Sequence, residues 1–265
     1  MIRLAITGGA GRMGGRIVAL AHADARFGVA AALEQAGNSR LGDDVGEAAG
    51  VGRIGVPIEA HTDRAFDVLI DFTTAAGSMR WLEHCLANKQ AIVMGTTGHD
   101  ADQLARIREA ATVIPIVKAA NMSVGVNLLF RLVGEVARTL GDAYDIEIVE
   151  THHRFKQDAP SGTALALLDS IVAATGRDRA ADVIHGREGL SAGRPARQVG
   201  MHALRVGDTV GEHEVHFGTL GETVVLRHSA HTRDTFVAGA LRAAEWLMGK
   251  PAGLYSMQDV LGLNR

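Results

Sequence analysis

The chain is poor in cysteine and proline: 265 residues hold one Cys, Cys85, and five Pro. A single thiol forms no intramolecular disulfide, and a cysteine-based zinc cage needs several. Cys85 lies in Trp81-Leu82-Glu83-His84-Cys85-Leu86, where a buried structural thiol is expected rather than a catalytic one. No run of about 18 apolar residues occurs, so no transmembrane helix and no membrane partner are expected. The apolar start Met1-Ile2-Arg3-Leu4-Ala5-Ile6 is too short for a secretory signal, which makes a cytoplasmic location the expectation. Charge of one sign is also lacking. With 27 Lys+Arg against 30 Asp+Glu, the net charge of −3 excludes a general nucleic-acid footprint and leaves room only for a local basic pocket. No internal repeat at a solenoid period stands out.

What is present is a globular composition, 47% hydrophobic and 22% charged, long enough for one large domain or two modest ones. Short apolar runs alternate with helical ones. Strands are predicted at residues 2–7, 29–33, 67–71, 91–94 and 113–117, with helices at 13–23, 77–88 and 102–111. This alternation predicts an α/β fold whose N-terminal part is a Rossmann-type doubly wound parallel sheet. After Asn121 the pattern changes. A long helix is expected at 124–140, a strand at 144–151 and a helix at 163–175. Residues 176–200, with five Arg and five Gly, read as a mobile connection. Strands at 201–206, 213–217 and 223–228 without long helices between them predict a C-terminal α+β domain with a mixed sheet. The simplest partition is a dinucleotide-binding domain at 1–122, to which 234–265 return, and a second domain at 123–233.

The first strand ends in Gly8-Gly9-Ala10-Gly11-Arg12-Met13-Gly14. Its glycines let a pyrophosphate approach the backbone at a helix N-terminus, where N–H groups and the helix dipole favour an anion. Glu34 follows about 20 residues after Gly14, where an acid can bond the adenosine ribose. Gln35 is neutral where a basic residue would favour a 2′-phosphate, so NADH is favoured over NADPH, although Arg40 could still serve NADPH. Arg12 is either a phosphate partner or a solvated helix-start residue. Gly95-Thr96-Thr97-Gly98 and Ala119-Ala120-Asn121-Met122-Ser123 each follow a strand at the sheet edge that binds ligands. Asn121 is a candidate for the nicotinamide or, alternatively, a helix cap.

The densest polar stretch runs from Glu150-Thr151-His152-His153-Arg154-Phe155-Lys156 to Gln157-Asp158-Ala159-Pro160-Ser161-Gly162-Thr163. A reduction needs a proton besides the hydride, and His152, His153 and Lys156 are candidates to supply it. The start of the helix at Ser161-Gly162-Thr163 suits a carboxylate. A metal pair is disfavoured because adjacent strand residues point to opposite faces, so no metal is expected. His213, His216, His228 and His231 are scattered and read mostly as structural.

Taken in order, the glycine loop, Ile70-Asp71-Phe72-Thr73, Gly95-Thr96-Thr97-Gly98, Ala120-Asn121-Met122-Ser123-Val124-Gly125-Val126-Asn127 and the segment 150–163 resemble the 4-hydroxy-tetrahydrodipicolinate reductase (dihydrodipicolinate reductase) family. The resemblance spans essentially the whole chain, including Gly211-Glu212-His213 and Asp259-Val260-Leu261. It implies a homotetrameric enzyme of lysine and diaminopimelate biosynthesis, with a small dicarboxylate substrate. That enzyme reduces (2S,4S)-4-hydroxy-2,3,4,5-tetrahydrodipicolinate with NADH or NADPH to (S)-2,3,4,5-tetrahydrodipicolinate, releasing water. By position, His152 matches the family's proton donor/acceptor and Lys156 its second proton donor. His153, Gly162 and Thr163 match substrate-binding residues. Gly8, Gly9, Ala10, Gly11, Arg12, Met13, Glu34, Gln35, Gly95, Thr96, Thr97, Ala119, Ala120, Asn121 and Met122 match cofactor positions. The second domain would supply the tetramer interface through its sheet. The sequence departs from some members in lacking Arg at Gln35 and at Thr74, and in Met122 standing where Phe is common. Two competing readings are a dehydrogenase acting on an amino-acid semialdehyde and a non-enzymatic NAD(H)-binding protein.

Overall fold

A computed structural model describes residues 1–190 and 193–264. In chain order it runs β1 (Ile2–Thr7), α1 (Arg12–His22), β2 (Phe27–Leu33), α2 (Val45–Ala49), β3 (Ile58–Glu59), β4 (Val68–Asp71), α3 (Ala75–Asn88), β5 (Ala91–Met94), α4 (Ala101–Ala110) and β6 (Pro115–Lys118). Next come α5 (Val124–Leu140), β7 (Asp145–His152), α6 (Gly162–Thr175), β8 (Val183–His185), β9 (Val199–Arg205), β10 (Gly211–Thr219) and β11 (Glu222–Ala230). α7 (Asp234–Leu247), β12 (Gly253–Tyr255) and α8 (Met257–Leu261) follow. Two compact units result. One holds Met1–Val124 together with the segment from Arg233 onward, and the other holds Gly125–Thr232.

In the first unit β12-β6-β5-β4-β1-β2-β3 form a seven-stranded sheet, parallel throughout. Its strands are apolar on both faces because both are covered. Leu4, Ile6, Val68, Ile70 and Val93 face a core with Ile17 and Val18 of α1 and Val237 and Leu241 of α7. Ala5, Leu69, Ile92 and Met94 face Leu82 and Cys85 of α3 and Ile107 of α4. Cys85 is thus a fully buried core thiol, and burial pushes its pKa well up. The strand order reverses between β1 and β4, the point at which open α/β sheets bind ligands beyond the carboxyl ends of their strands. Three small elements escaped the sequence reading: α2, β3 and β12. Each is five residues or fewer, too short for a periodicity to declare itself. The helix α2 depends instead on one residue, Asp44, whose carboxylate accepts from the Gly46 and Glu47 amides at its start.

The second unit is a mixed sheet of order β11-β10-β7-β9-β8, antiparallel at β11/β10/β7 and parallel at β7/β9/β8. Ile146 and Ile148 of β7, Met201 of β9, and Val215 and Phe217 of β10 share one face. There they pack on Leu129 and Val133 of α5 and Leu167 and Ile171 of α6. The expected mobile connection at 176–200 is corrected by the structure, apart from Ser191 and Ala192, which lie outside the described residues. It contains β8 and the start of β9, and its arginines are pinned. Arg187 and Arg194 bond Glu147, and Arg177 and Arg197 pair with Asp142. These partners are distant in sequence, so local composition carried no trace of them.

Glu147 gathers Arg187 at 2.7 Å, Arg194 at 3.1 Å and His202 at 2.7 Å. Gly200 lies opposite it in β9, and a Cβ there would come within 1.7 Å of the carboxylate. Burial alone would raise the Glu147 carboxyl, but the donors from Arg187, His202 and Arg194 outweigh it and hold it at about 2. A carboxyl lowered on folding stabilises the folded state above its ordinary value of 4.5 and stops doing so as pH falls towards about 2. Resistance to denaturant is therefore expected to drop across that window. Glu147→Gln should be less stable at neutral pH and show a shallower acid limb. Urea midpoints measured from about pH 6 to about pH 3 check this; parallel limbs for the two proteins would refute it.

Candidate active site

The loop after β1 is shaped by close approach. Gly8 has φ of +66°. A Cβ on Gly14 would stand 2.0 Å from the Gly8 carbonyl oxygen, so only glycine lets α1 start against the strand end. Gly8, Gly11, Arg12 and Met13 line a cavity of about 420 Å³ whose other side carries Glu34 and Gln35 at the end of β2. Glu34 is half-buried and its Oε1 accepts from the Gln35 amide at 3.0 Å. Glycine backbone at a helix start on one side and a carboxylate on the other fit the pyrophosphate and ribose of a dinucleotide. The cavity has further walls that the sequence reading did not assign: Phe72, Thr73, Thr74, Arg80 and Trp81. Arg80 lies over the Trp81 ring at 5.2 Å and bonds the Ala60 carbonyl. Thr74 caps α3 by accepting from the Gly77 amide. Arg40 does not line the cavity and pairs with Asp43.

Gly9, Ala10, Gly95, Thr96, Thr97, Ala119, Ala120, Asn121 and Met122 are not among the lining residues of this cavity. Gly9 is buried and its amide donates to the Leu33 carbonyl. Ala10 is half-buried against the core. Gly95, Thr96 and Thr97 follow β5, and Ala119 and Ala120 follow β6, at the same sheet edge. Asn121 accepts from the Ser123 amide at 2.8 Å, and the Met122 side chain is buried in the core.

Asp71 ties these loops together. It ends β4 with no exposed surface, and its carboxylate accepts from Thr7 at 2.8 Å and from Thr73 and Thr96 at 2.6 Å each. The Thr96 hydroxyl in turn accepts from the Thr73 amide at 2.8 Å. The loops after β1, β4 and β5 are thus held by one side chain. Lys118, half-buried at the end of β6, lies 3.4 Å from the Thr96 carbonyl; burial lowers its ammonium while nearby Asp71 opposes the shift.

In the second unit the apolar stripe of β7 runs on into polar residues. Ile146, Ile148, Glu150 and His152 share one face by strand alternation. Register places His213 of β10 opposite Glu150, and Arg205 of β9 opposite His152. Glu150 has no exposed surface and receives His152 Nδ1 at 2.5 Å, Arg205 at 2.8 and 2.9 Å, and the Ser161 amide at 3.0 Å. Ser161 caps α6, and its hydroxyl lies 3.2 Å from His213 Nε2. The His152 and His213 rings meet edge to face at 5.2 Å. Burial, then repulsion from His152, pushes His213 down to about 3, so it is neutral at ordinary pH.

Lys156 is half-buried and its amine bonds the Asp158 carboxylate at 2.8 Å. His153 is half-buried beside Phe155, with Nδ1 inaccessible and without a hydrogen-bond partner among the described residues. Gly162 and Thr163 open α6 immediately after Ser161. The structure therefore gathers His152 with the start of α6, and it adds three residues the sequence reading left without a role: Glu150, Arg205 and His213. His213, read among several scattered structural histidines, is buried and lies beside His152 and Ser161. Its signal was the strand register, which no single segment displays. Among the described residues no group of three or more His, Cys, Asp or Glu is arranged to hold a metal, and no helix is long and apolar enough to cross a membrane.

Comparison with known proteins agrees with this geometry. The family described as "Dihydrodipicolinate reductase, N-terminus" matches residues 2–122, and "Dihydrodipicolinate reductase, C-terminus" matches 125–261. A curated 4-hydroxy-tetrahydrodipicolinate reductase of Syntrophus aciditrophicus is 46% identical, covering 99% of both chains. That of Syntrophotalea carbinolica is 47% identical over 99% of this chain and 100% of its own. Among solved structures, dipicolinate-bound dihydrodipicolinate reductase from Paenisporosarcina sp. TG-14 aligns with a TM-score of 0.76 at 25% identity, covering 98% of each chain. An amine dehydrogenase from Mycobacterium smegmatis, 14% identical over 97% of this chain and 95% of its own, shares the fold at a TM-score of 0.65. With both halves matched to one family and relatives near half identity along its length, the chain belongs to the dihydrodipicolinate reductase family, whose fold implies a nicotinamide cofactor, NAD or NADP.

Proposed function

We propose that this chain reduces 4-hydroxy-tetrahydrodipicolinate in the cytoplasm with NADH or NADPH, releasing water, in lysine and diaminopimelate biosynthesis. The observation that carries the reading is the cluster at the end of β7. A histidine set on a buried carboxylate stands beside the start of a capped helix, with a lysine and a second histidine in the same segment.

The cofactor would be held by Gly8, Gly11, Arg12 and Met13 at its pyrophosphate and by Glu34 at its ribose. When bound, its nicotinamide supplies the hydride. The Asp71 clamp keeps the loops that carry Thr73 and Thr96 fixed, so binding does not have to order them. In the second unit, His153 and Lys156 supply positive charge or donors for the substrate's carboxylates, and the positive end of the α6 dipole at Gly162 and Thr163 does the same. His152 exchanges the proton that accompanies the hydride, and Lys156, held by Asp158, is the second donor. NADH is the favoured cofactor. Neutral Gln35 stands beside Glu34, and a carboxylate there repels a 2′-phosphate. Exposed Leu204, Val224 and Val225 on the second sheet support assembly into a homotetramer.

The test is coupled absorbance. Aspartate semialdehyde and pyruvate are condensed by the preceding synthase, and this protein is added with NADH or NADPH. Cofactor oxidation that requires both proteins supports the reading; none, with folding and cofactor binding intact, rejects it. His152→Gln and Lys156→Ala are expected to lower kcat about 100-fold or more with cofactor binding retained, and near-normal turnover in both would remove their roles. Glu34→Ala should weaken NADH binding about tenfold in calorimetry, corresponding to about 1.4 kcal/mol. Unchanged affinity would take Glu34 out of the site.

A further inference from the structure

Glu150 is an ionised group with no exposed surface. Burial would raise its carboxyl, but the hydrogen bonds from His152, Arg205 and Ser161 outweigh it and hold it at about 2. An ionised carboxylate only accepts. The 2.5 Å contact with His152 is therefore an Nδ1–H donating to Oε2. The carboxylate cannot swing away from that ring. Arg205 grips both oxygens, at 2.9 Å to Oε2 and 2.8 Å to Oε1, and the Ser161 amide takes Oε1 as well. Arg205 is itself fixed by a bond to the Asp158 carbonyl at 2.6 Å. The His213 ring then bounds His152 edge to face.

We propose that Glu150 is a positioning residue: anchored by Arg205 and Ser161, it fixes His152 as the Nδ1–H tautomer and makes Nε2 the nitrogen that exchanges the substrate's proton. A histidine's free nitrogen is set by the bond its other nitrogen makes. A proton-transferring group also needs one orientation, not an average of several. The proposal rests on the reductase reading and names how its proton donor is held. A buried carboxylate kept merely for stability would hold the same tautomer, since His152 is one of its donors, but its loss would leave turnover by the folded protein near normal.

The experiment uses the full chain labelled with 15N-histidine, with the His152 signals assigned from their loss in His152→Gln. At a pH where the ring is neutral, wild-type His152 is expected to show one tautomer, protonated at Nδ1. Glu150→Gln puts an amide that both donates and accepts in place of the carboxylate, and should give a tautomer mixture. Its kcat should fall about 100-fold or more, with the KM for NADH or NADPH within about threefold. Glu150→Asp, which keeps the charge at shorter reach, should recover part of the rate. An Nε2–H tautomer in the wild type would overturn the proposal even if the Gln variant fails to fold. So would a Gln variant with an unchanged spectrum or near-normal kcat. If the wild type oxidises neither cofactor, the reductase reading fails by itself, and the wild-type and variant spectra still decide whether Glu150 sets the tautomer.

Discussion

A carboxylate taken out of water must be surrounded by donors, and this requirement organises both halves of the molecule. Asp71 meets it with three threonine hydroxyls from three strand ends, and Glu150 meets it with an imidazole, a guanidinium and a backbone amide. Both acids end an apolar stripe: Val68-Leu69-Ile70 runs into Asp71, and Ile146 and Ile148 lead to Glu150. The core therefore grades into the site without a break. Side chains of the candidate site are held by the same packing that holds the fold: register sets His213 opposite Glu150 and Arg205 opposite His152, from where Arg205 bonds the Glu150 carboxylate.

This arrangement explains what was legible in one dimension. The alternation of apolar strands with helices predicts the parallel sheet because each strand is buried on both faces and reads as a short continuous run. The glycine loop and Glu34, which line one cavity, are legible because their spacing is set within a single strand-helix-strand unit. His152, Lys156 and Ser161 to Thr163 are likewise close in sequence and stand out as a polar island between a strand and a helix. Arg205 and His213 are far from that island and lie in segments that read as ordinary strands. Only the pairing of β7 with β9 and β10 assembles them. Arg187 and Arg194 failed to declare themselves for the same reason. A run of arginines and glycines reads as loose until the carboxylates that anchor it are known.

Cavity lining follows a similar rule. Glu34 and Gln35 were found by spacing from the glycines, whereas Arg80 and Trp81 belong to a helix whose sequence has no motif. They reach the same cavity because α3 begins at the end of β4, the neighbour of β1 in the sheet. Strand order, which is a property of the whole unit, decided their placement.

The route of the chain through its units has a consequence for synthesis. The first unit contains α7 and β12, which are translated after the second unit, while the second unit is one uninterrupted stretch. Val237, Ala240 and Leu241 of α7 complete one face of the first sheet's core, and β12 covers the β6 edge. On a ribosome adding residues from the N-terminus, the nascent first unit carries an apolar sheet face covered only in part, by α1, until more than a hundred further residues have emerged. The inserted unit, whose helices and strands all lie between its own ends, can close first. The strand edge at β6 and the part of that face left open beside α1 are therefore where a nascent or truncated chain would be most exposed to chaperones and to aggregation.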